Sequence, residues 1–120
     1  ERLSQVLLNL FINSIHAIEE VRKTDPERSC FLRIGSRPME GGRVAIFIED
    51  SGCGINPENM RKLFKPFFTT KDVGQGTGLG LAIVSQLVRE MEGKISVESR
   101  EGQGTIFHLE FCEVAPKLGT

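Results

Sequence analysis

The chain has 120 residues, 26% charged and 39% hydrophobic, and its 15 basic and 16 acidic side chains leave a formal net charge of −1. This length suits one domain with a real core, the balanced charge argues against a generic nucleic-acid binder, and no apolar run approaches the roughly 20 residues of a membrane span. Cys30, Cys53 and Cys112 form neither a zinc motif nor a disulfide framework, so we expect a reducing, cytoplasmic setting.

The first half of the chain predicts a long helix, a β-hairpin and a short helix. Apolar residues recur at three- and four-residue steps over 3–22, as on one face of an amphipathic helix, and Asp25-Pro26 ends it. Strands are predicted at 31–36 and 43–49, around a Glu-Gly-Gly turn. Asn56 and Pro57 are typical of an N-cap and a first helical position, and they open a helix reaching about Phe64.

The second half predicts a loop, a third helix and a second hairpin. Residues 66–78 lack periodicity and are rich in Thr and Gly, so we expect a mobile loop. Residues 79–91 form a helix whose core face carries Leu79, Ile83, Leu87 and Val88, with Gly93 as its C-terminal cap. Strands at 94–99 and 105–112 follow, and 115–120 is an expected frayed tail. This order favours an α+β two-layer sandwich, with one largely antiparallel four-stranded sheet covered on one face by three helices.

Polar side chains line one side of the first helix. Asn9 and Asn13 are four residues apart and share a face, which His16 and Glu20 extend. An unsatisfied amide in apolar surroundings costs roughly 1–3 kcal/mol, so this stripe borders a polar cleft or is hydrogen-bonded internally. A carboxamide oxygen is also a reasonable ligand for Mg²⁺. Taken alone, the stripe is explained equally well as a helix face that is exposed to solvent.

A carboxylate and two glycines follow the second predicted strand directly. Asp50 stands at the strand end, and Gly52 and Gly54 lie just beyond it. The carboxylate can accept a hydrogen bond from a flat ligand, and the glycines let that ligand lie against bare backbone. The alternative is a tight turn with a solvated Asp.

Alternating glycines lead into the third helix. Gly76, Gly78 and Gly80 precede a helix N-terminus, where free N–H groups and the helix dipole favour anions. The spacing fits neither the dinucleotide fingerprint nor a P-loop. Lys71, just before these glycines, is the best candidate partner for a phosphate. A flexible linker is the alternative for this segment, although a linker does not merge into an amphipathic helix.

In this order, these motifs resemble the GHKL nucleotide-binding family and, more closely, the ATP-binding catalytic domain of bacterial sensor histidine kinases. The similar segments are the N box at 7–14, the glycine boxes at 50–55 and 76–83, the F box at 63–71 and the last hairpin at 102–107. The sequences of the F box and the second glycine box are most similar to those of the nitrogen-regulation type of sensor kinase. The resemblance implies the Bergerat-type fold over 1–114, with the strand that usually precedes the first helix missing and a flexible tail at 115–120.

The resemblance also implies a role for each box in binding Mg-ATP. Asp50 would accept the adenine amino group, with Thr105 nearby through water, and Gly54 would give the base room. Asn13 would hold Mg²⁺, Lys71 would close over the phosphates, and the glycines of the second box would cradle them. The complete set of implied nucleotide-binding residues is Asn9, Asn13, His16, Asp50, Gly52, Gly54, Ile55, Phe68, Lys71, Gly76, Thr77, Gly78, Leu79, Gly80, Leu81 and Thr105.

The function implied is that of a protein-histidine kinase in a two-component system. The chain would donate the γ-phosphate of ATP to a His on separate dimerisation helices, upstream of a response regulator, and would carry no phospho-accepting His itself. One departure is His16, which stands where many sensor kinases have Lys or Arg. A GHKL hydrolase is one alternative, but its Glu general base is replaced here by Asn9, which cannot take a proton from water. A regulatory module of the anti-sigma or serine-kinase type is the other.

Overall fold

The computed structural model describes residues 2–65 and 80–112 of the chain. Its elements follow the predicted order of helix, two strands, two helices and two strands. The helices are α1 (Arg2–Thr24), α2 (Pro57–Met60) and α3 (Gly80–Glu90), and the strands are β1 (Leu32–Met39), β2 (Arg43–Asp50), β3 (Lys94–Arg100) and β4 (Gly104–Cys112). The predicted loop at 66–78 and tail at 115–120 lie outside the described residues.

The four strands form one sheet in the order β1-β2-β4-β3, and every neighbouring pair is antiparallel. β4, the last strand among the described residues, is therefore central in space. The register places Asp50 opposite both Leu32 and Thr105, and Thr105 opposite Ser99. A single cross-strand row of four residues thus runs across the end of the sheet at which β2 finishes.

Helices α1 and α3 pack together and cover one face of the sheet, which confirms the α+β sandwich. The strand residues of this face alternate with outward-facing ones, as the pleat of a strand requires. The buried hydrophobic cluster consists of Val6, Leu10, Ile48, Leu63, Val84, Val88, Phe107, Leu109 and Phe111. For α3 one predicted core position was wrong: Val84 is fully buried and Ile83 is only half-buried. The rest of the predicted face agrees where it is described, because Val88 is buried and Leu87 packs against the hydrophobic cluster.

The C-terminus of α3 also differs from the prediction. The backbone N–H of Gly93 donates to the Val88 carbonyl (2.9 Å) and that of Glu92 donates to the Arg89 carbonyl (3.0 Å), which is the Schellman arrangement. The left-handed residue of this cap is Glu92, with φ of 58°, and not the predicted Gly93. Gly93 is required for a different reason, because a Cβ there would lie 2.6 Å from the Phe111 ring and 2.7 Å from the Glu110 carbonyl oxygen.

The predicted cap of α2 is confirmed. The Asn56 side chain accepts a hydrogen bond from the Asn59 backbone N–H (2.8 Å), and Pro57 occupies the first helical position. The helix itself is shorter than expected, since it ends at Met60 and turns follow as far as Phe64. Over 2–65 and 80–112, no helix combines the length and the apolar character needed to cross a membrane.

Candidate functional site

Asp50, the last residue of β2, is the most deeply buried charged side chain at the end of the sheet. It is 3% exposed, and its Oδ1 accepts a hydrogen bond from the Gly52 backbone N–H (2.8 Å). Burial raises the pKa of its carboxyl above the ordinary value; the Gly52 N–H and the nearby Ser14 hydroxyl lower the pKa, and the charge of Glu49 raises it. A buried carboxylate with limited compensation is a strong acceptor for a donor that arrives with a ligand.

The glycine turn after Asp50 rests directly on the middle of α1. The Cys53 backbone N–H donates to the Ala17 carbonyl oxygen (3.1 Å), and a Cβ at Gly52 would lie 2.5 Å from the Ala17 Cβ. Only glycine allows this close approach of turn and helix. The contact fixes Asp50 against the segment of α1 that follows Asn13.

The same turn also packs against the β3–β4 connection. Gly54 has a φ of +75°, and a Cβ there would overlap the Arg100 carbonyl oxygen. On the other side, the Gly102 backbone N–H donates to the Cys53 carbonyl (2.7 Å). The turn is therefore held between a helix and a hairpin, and its backbone borders the buried carboxylate.

Thr105 stands beside Asp50 in the cross-strand row and is itself 5% exposed. Its hydroxyl lies 2.9 Å from that of Ser99, the next residue in the row. Ser99 accepts a hydrogen bond from the Ile55 backbone N–H (2.8 Å) and donates to the Gly104 carbonyl (3.0 Å) or to Thr105. The structure thus brings together Asp50, Gly52, Gly54, Ile55 and Thr105, as the sequence motifs predict.

Two residues of this region were not predicted from the sequence. Ser99 could have been found from the hairpin register, because strands that flank a turn at 100–104 place it opposite Thr105. No sequence pattern pointed to Arg28. Its Nη2 donates to the carbonyls of Ser51 and Gly102 (3.3 Å each), and so it ties the α1–β1 connection to both walls of the site.

The predicted polar stripe of α1 lies where the glycine turn approaches. Asn9, Asn13 and His16 are all half-buried, whereas Glu20 is exposed. The Nδ1 atom of His16 is buried and has no hydrogen-bond partner among the described residues. The stripe is therefore more enclosed than a fully solvated helix face.

The phosphate half of the predicted site falls mainly outside the described residues. Phe68, Lys71, Gly76, Thr77, Gly78 and Leu79 belong to 66–79, which the structure does not describe. Gly80 and Leu81 open α3. A Cβ at Gly80 would meet nothing within 4 Å, and Leu81 packs against the hydrophobic cluster.

A cavity of about 300 Å³ opens at the same end of the sheet. Three of its lining residues, Glu49, Glu98 and Ile106, alternate with core residues and so point away from the helices. Its full lining is Phe31, Glu49, Asp50, Glu98, Ser99, Arg100, Gln103, Gly104, Thr105 and Ile106. We do not assign a nucleotide to it, because Asn13 and the glycine turn against α1 lie on the helical face.

Comparison with known families and curated proteins gives one consistent result. Residues 1–115 match the family model described as "Histidine kinase-, DNA gyrase B-, and HSP90-like ATPase". The chain is 42% identical over 109 residues to the sensor histidine kinase ZraS of Salmonella typhimurium, a match that covers 91% of this chain and 21% of ZraS. The chain therefore spans about a fifth of the length of this relative.

Solved structures agree with the sequence comparison. The chain superposes with a TM-score of 0.76 and 34% identity on full-length ShkA in complex with AMPPNP, covering 95% of this chain and 22% of that one. It superposes with a TM-score of 0.73 and 37% identity on the nucleotide-free catalytic domain of the histidine kinase ThkA, covering 93% and 66%.

Proposed function

Since the chain belongs to the family of histidine kinase-, DNA gyrase B- and HSP90-like ATPases, we propose that it binds Mg-ATP as the catalytic part of a sensor histidine kinase. The observation that carries this proposal is the buried Asp50 carboxylate, which ends β2 beside a glycine turn and Thr105. The proposal draws further support from ShkA, a structural neighbour that binds AMPPNP.

Asp50 suits the exocyclic amino group of adenine. That group is a donor, and an ionised carboxylate is an acceptor only. One oxygen of Asp50 already accepts from Gly52, and Thr105 places a hydroxyl beside the carboxylate. Gly52, Gly54 and Ile55 would supply the backbone surface against which the purine lies.

Mg²⁺ and the phosphates would lie along α1 and the start of α3. Asn13 is half-buried, and its carboxamide oxygen is a ligand type that suits Mg²⁺; Asn9 stands one turn earlier. When bound, Mg²⁺ supplies positive charge to the phosphate oxygens. In this proposal Lys71 and the segment 76–81 contact the phosphates, with His16 and Phe68 at the edge of the site.

The proposed reaction is transfer of the γ-phosphate of ATP to a His on separate dimerisation helices, and the phosphoryl group then passes to a response regulator. The kinase relatives support this reaction. Hydrolysis is less well supported, because Asn9 cannot act as a general base at neutral pH. The nitrogen-regulation subtype remains part of the proposal.

Calorimetry with Mg-ATP tests the adenine assignment. The wild-type chain is expected to bind, and the Asp50→Asn variant to bind more weakly by about 1.5–3 kcal/mol, since a charge-assisted hydrogen bond is lost. Asp25→Asn is a matched control, because Asp25 is exposed at the end of α1. Equal affinities of wild type and Asp50→Asn would contradict the assignment.

The metal and phosphate roles need separate measurements. Asn13→Ala is expected to reduce the Mg²⁺ dependence of nucleotide binding more than the binding of adenosine. Hydrogen exchange over 66–79 is expected to slow with Mg-ATP and to slow less with adenosine. An unchanged magnesium titration in Asn13→Ala would contradict the metal role of Asn13. Hydrogen exchange that slows equally with Mg-ATP and with adenosine would contradict the phosphate role of Lys71 and the glycines.

Phosphoryl transfer is tested by mixing the chain and γ-labelled ATP with a separately produced dimerisation domain from a kinase relative. The expected product is acid-labile label on that domain, absent when its His is replaced. Release of inorganic phosphate without labelled protein would favour the hydrolase alternative.

A further inference from the structure

Ser14 is a polar residue in the buried face of α1. It is 1% exposed, and its Oγ atom has no hydrogen-bond partner among the described residues. A serine inside a helix usually satisfies its hydroxyl on the carbonyl one turn earlier, and here that bond is absent. A buried hydroxyl without a partner is costly. A hydrogen bond from Ser14 to a nearby acceptor would remove that cost, and no other acceptor among the described residues competes for this donor.

The acceptor within reach is the Asp50 carboxyl. The Ser14 hydroxyl lies close enough to lower the pKa of that group. The Gly52 N–H holds Oδ1, and the bond from the Cys53 N–H to the Ala17 carbonyl keeps the turn on the helix. Asp50 is therefore held against the part of α1 that carries Ser14, three residues before Ala17.

We propose that Ser14 is a positioning residue for adenine recognition, whose hydroxyl donates to the Asp50 carboxylate and fixes it as the acceptor for the exocyclic amino group. This inference rests on the proposed nucleotide function. Ser14 does not contact the base in this arrangement. It acts on the orientation of Asp50, so its effect is confined to ligands that carry the amino group.

That restriction gives the first experiment, which compares ATP with purine riboside triphosphate, an analogue that lacks the amino group. For Ser14→Ala we expect the affinity for Mg-ATP to fall about threefold to tenfold, with the affinity for the analogue unchanged. Ser4→Ala is the matched control, a substitution of an exposed serine on the same helix, and it is expected to change neither affinity. Ser14→Cys keeps the volume with a poor donor and is expected to behave as Ser14→Ala.

An equal loss for both nucleotides in Ser14→Ala would show a merely structural role and would overturn the proposal. So would unchanged binding of both. If the wild-type chain binds neither nucleotide, the proposed function itself fails, and the contact between Ser14 and Asp50 is then decided without nucleotide.

The second experiment is a double-mutant cycle on urea unfolding at pH 8 in the nucleotide-free chain. Ser14→Ala is expected to lower the midpoint more in the wild-type background than in the Asp50→Asn background, because a hydrogen bond to a charged acceptor is the stronger one. Equal shifts in both backgrounds would show that the two side chains do not interact, and the proposal would be withdrawn.

Discussion

Asp50 opposes the stability of the nucleotide-free fold at the same time as it equips that fold to bind a ligand. Burial is the largest influence on its pKa and raises it above the ordinary value, so the ionised form is less favourable in the folded chain than in the unfolded one. A ligand that brings a hydrogen-bond donor would stabilise the ionised carboxylate of such a residue. Stability and binding therefore make opposite demands on one side chain.

The first prediction concerns that conflict. The folded chain binds the Asp50 proton more tightly than the unfolded chain, so the contribution of Asp50 to stability decreases as pH rises through its ordinary value to its folded pKa. Asp50→Asn removes the penalty, and we expect it to raise the free energy of unfolding at pH 7 while it weakens Mg-ATP binding. Urea unfolding at pH 3 and pH 7 measures this, and a gain that is larger at pH 3 would contradict the stated pKa direction.

The second prediction separates close packing from backbone strain at two glycines. Gly54 and Gly102 have similar positive φ values, of 75° and 82°, but only a Cβ at Gly54 would overlap backbone, at Arg100. Gly102→Ala is expected to cost about 1–2 kcal/mol from left-handed strain alone, and Gly54→Ala more than that, with a parallel loss of nucleotide affinity. Equal unfolding free energies for the two variants would show that the turn yields to the added methyl group.

At the scale of elements, the connection between α1 and β1 holds the site walls together. Arg28 reaches two carbonyls, one in the glycine turn and one 74 residues away in the β3–β4 connection. Arg33, five residues later, has an exposed side chain that forms an ion pair with half-buried Glu49 on the outer face of the sheet. Of these two arginines, only Arg28 thus connects separate segments of the site.

The third prediction follows from that contrast. Arg28→Met is expected to destabilise the chain by about 1 kcal/mol, because the part-buried Ser51 carbonyl and the exposed Gly102 carbonyl lose a charged donor, and to weaken ATP binding as the turn loosens. Arg33→Met is expected to cost less than about 0.5 kcal/mol, as exposed ion pairs usually do. Thermal unfolding and calorimetry give both values, and the reverse order would show that Arg28 does not hold the walls.

The fourth prediction concerns the cap of α3. Glu92 adopts the left-handed conformation that favours glycine, so Glu92→Gly is expected to stabilise the chain by about 0.5–1 kcal/mol. Gly93→Ala is expected to destabilise it, since the new methyl group meets the Phe111 ring. Urea unfolding of both variants decides whether the cap is assigned correctly; a destabilising Glu92→Gly would return the cap to the residue first predicted.

For the whole molecule, periodicity and turn residues predicted the order of the elements and a sheet that helices cover on one face. The contacts that depend on exact rotation were not predicted. Ile83 and Val84 are both apolar, and only packing selects Val84 for the core. The spacing of Ser14 matches the buried face of α1, but its approach to Asp50 depends on a turn whose first glycine, Gly52, lies 38 residues later. Arg28 illustrates the same limit, because nothing local distinguishes it from other arginines.

The position of β4 in the sheet has a consequence for the order in which the chain is synthesised. β4 is the last of the described strands to be made, yet it separates β2 from β3, and it contributes Thr105 to the row that contains Asp50. A nascent chain that ends before Gly104 has the β1–β2 hairpin and α1 but no strand to join them to β3. Long-range pairing of this kind is a slow event in folding. The row that contains Asp50 and Thr105, which is the proposed adenine site, therefore cannot form until β4 has emerged from the ribosome.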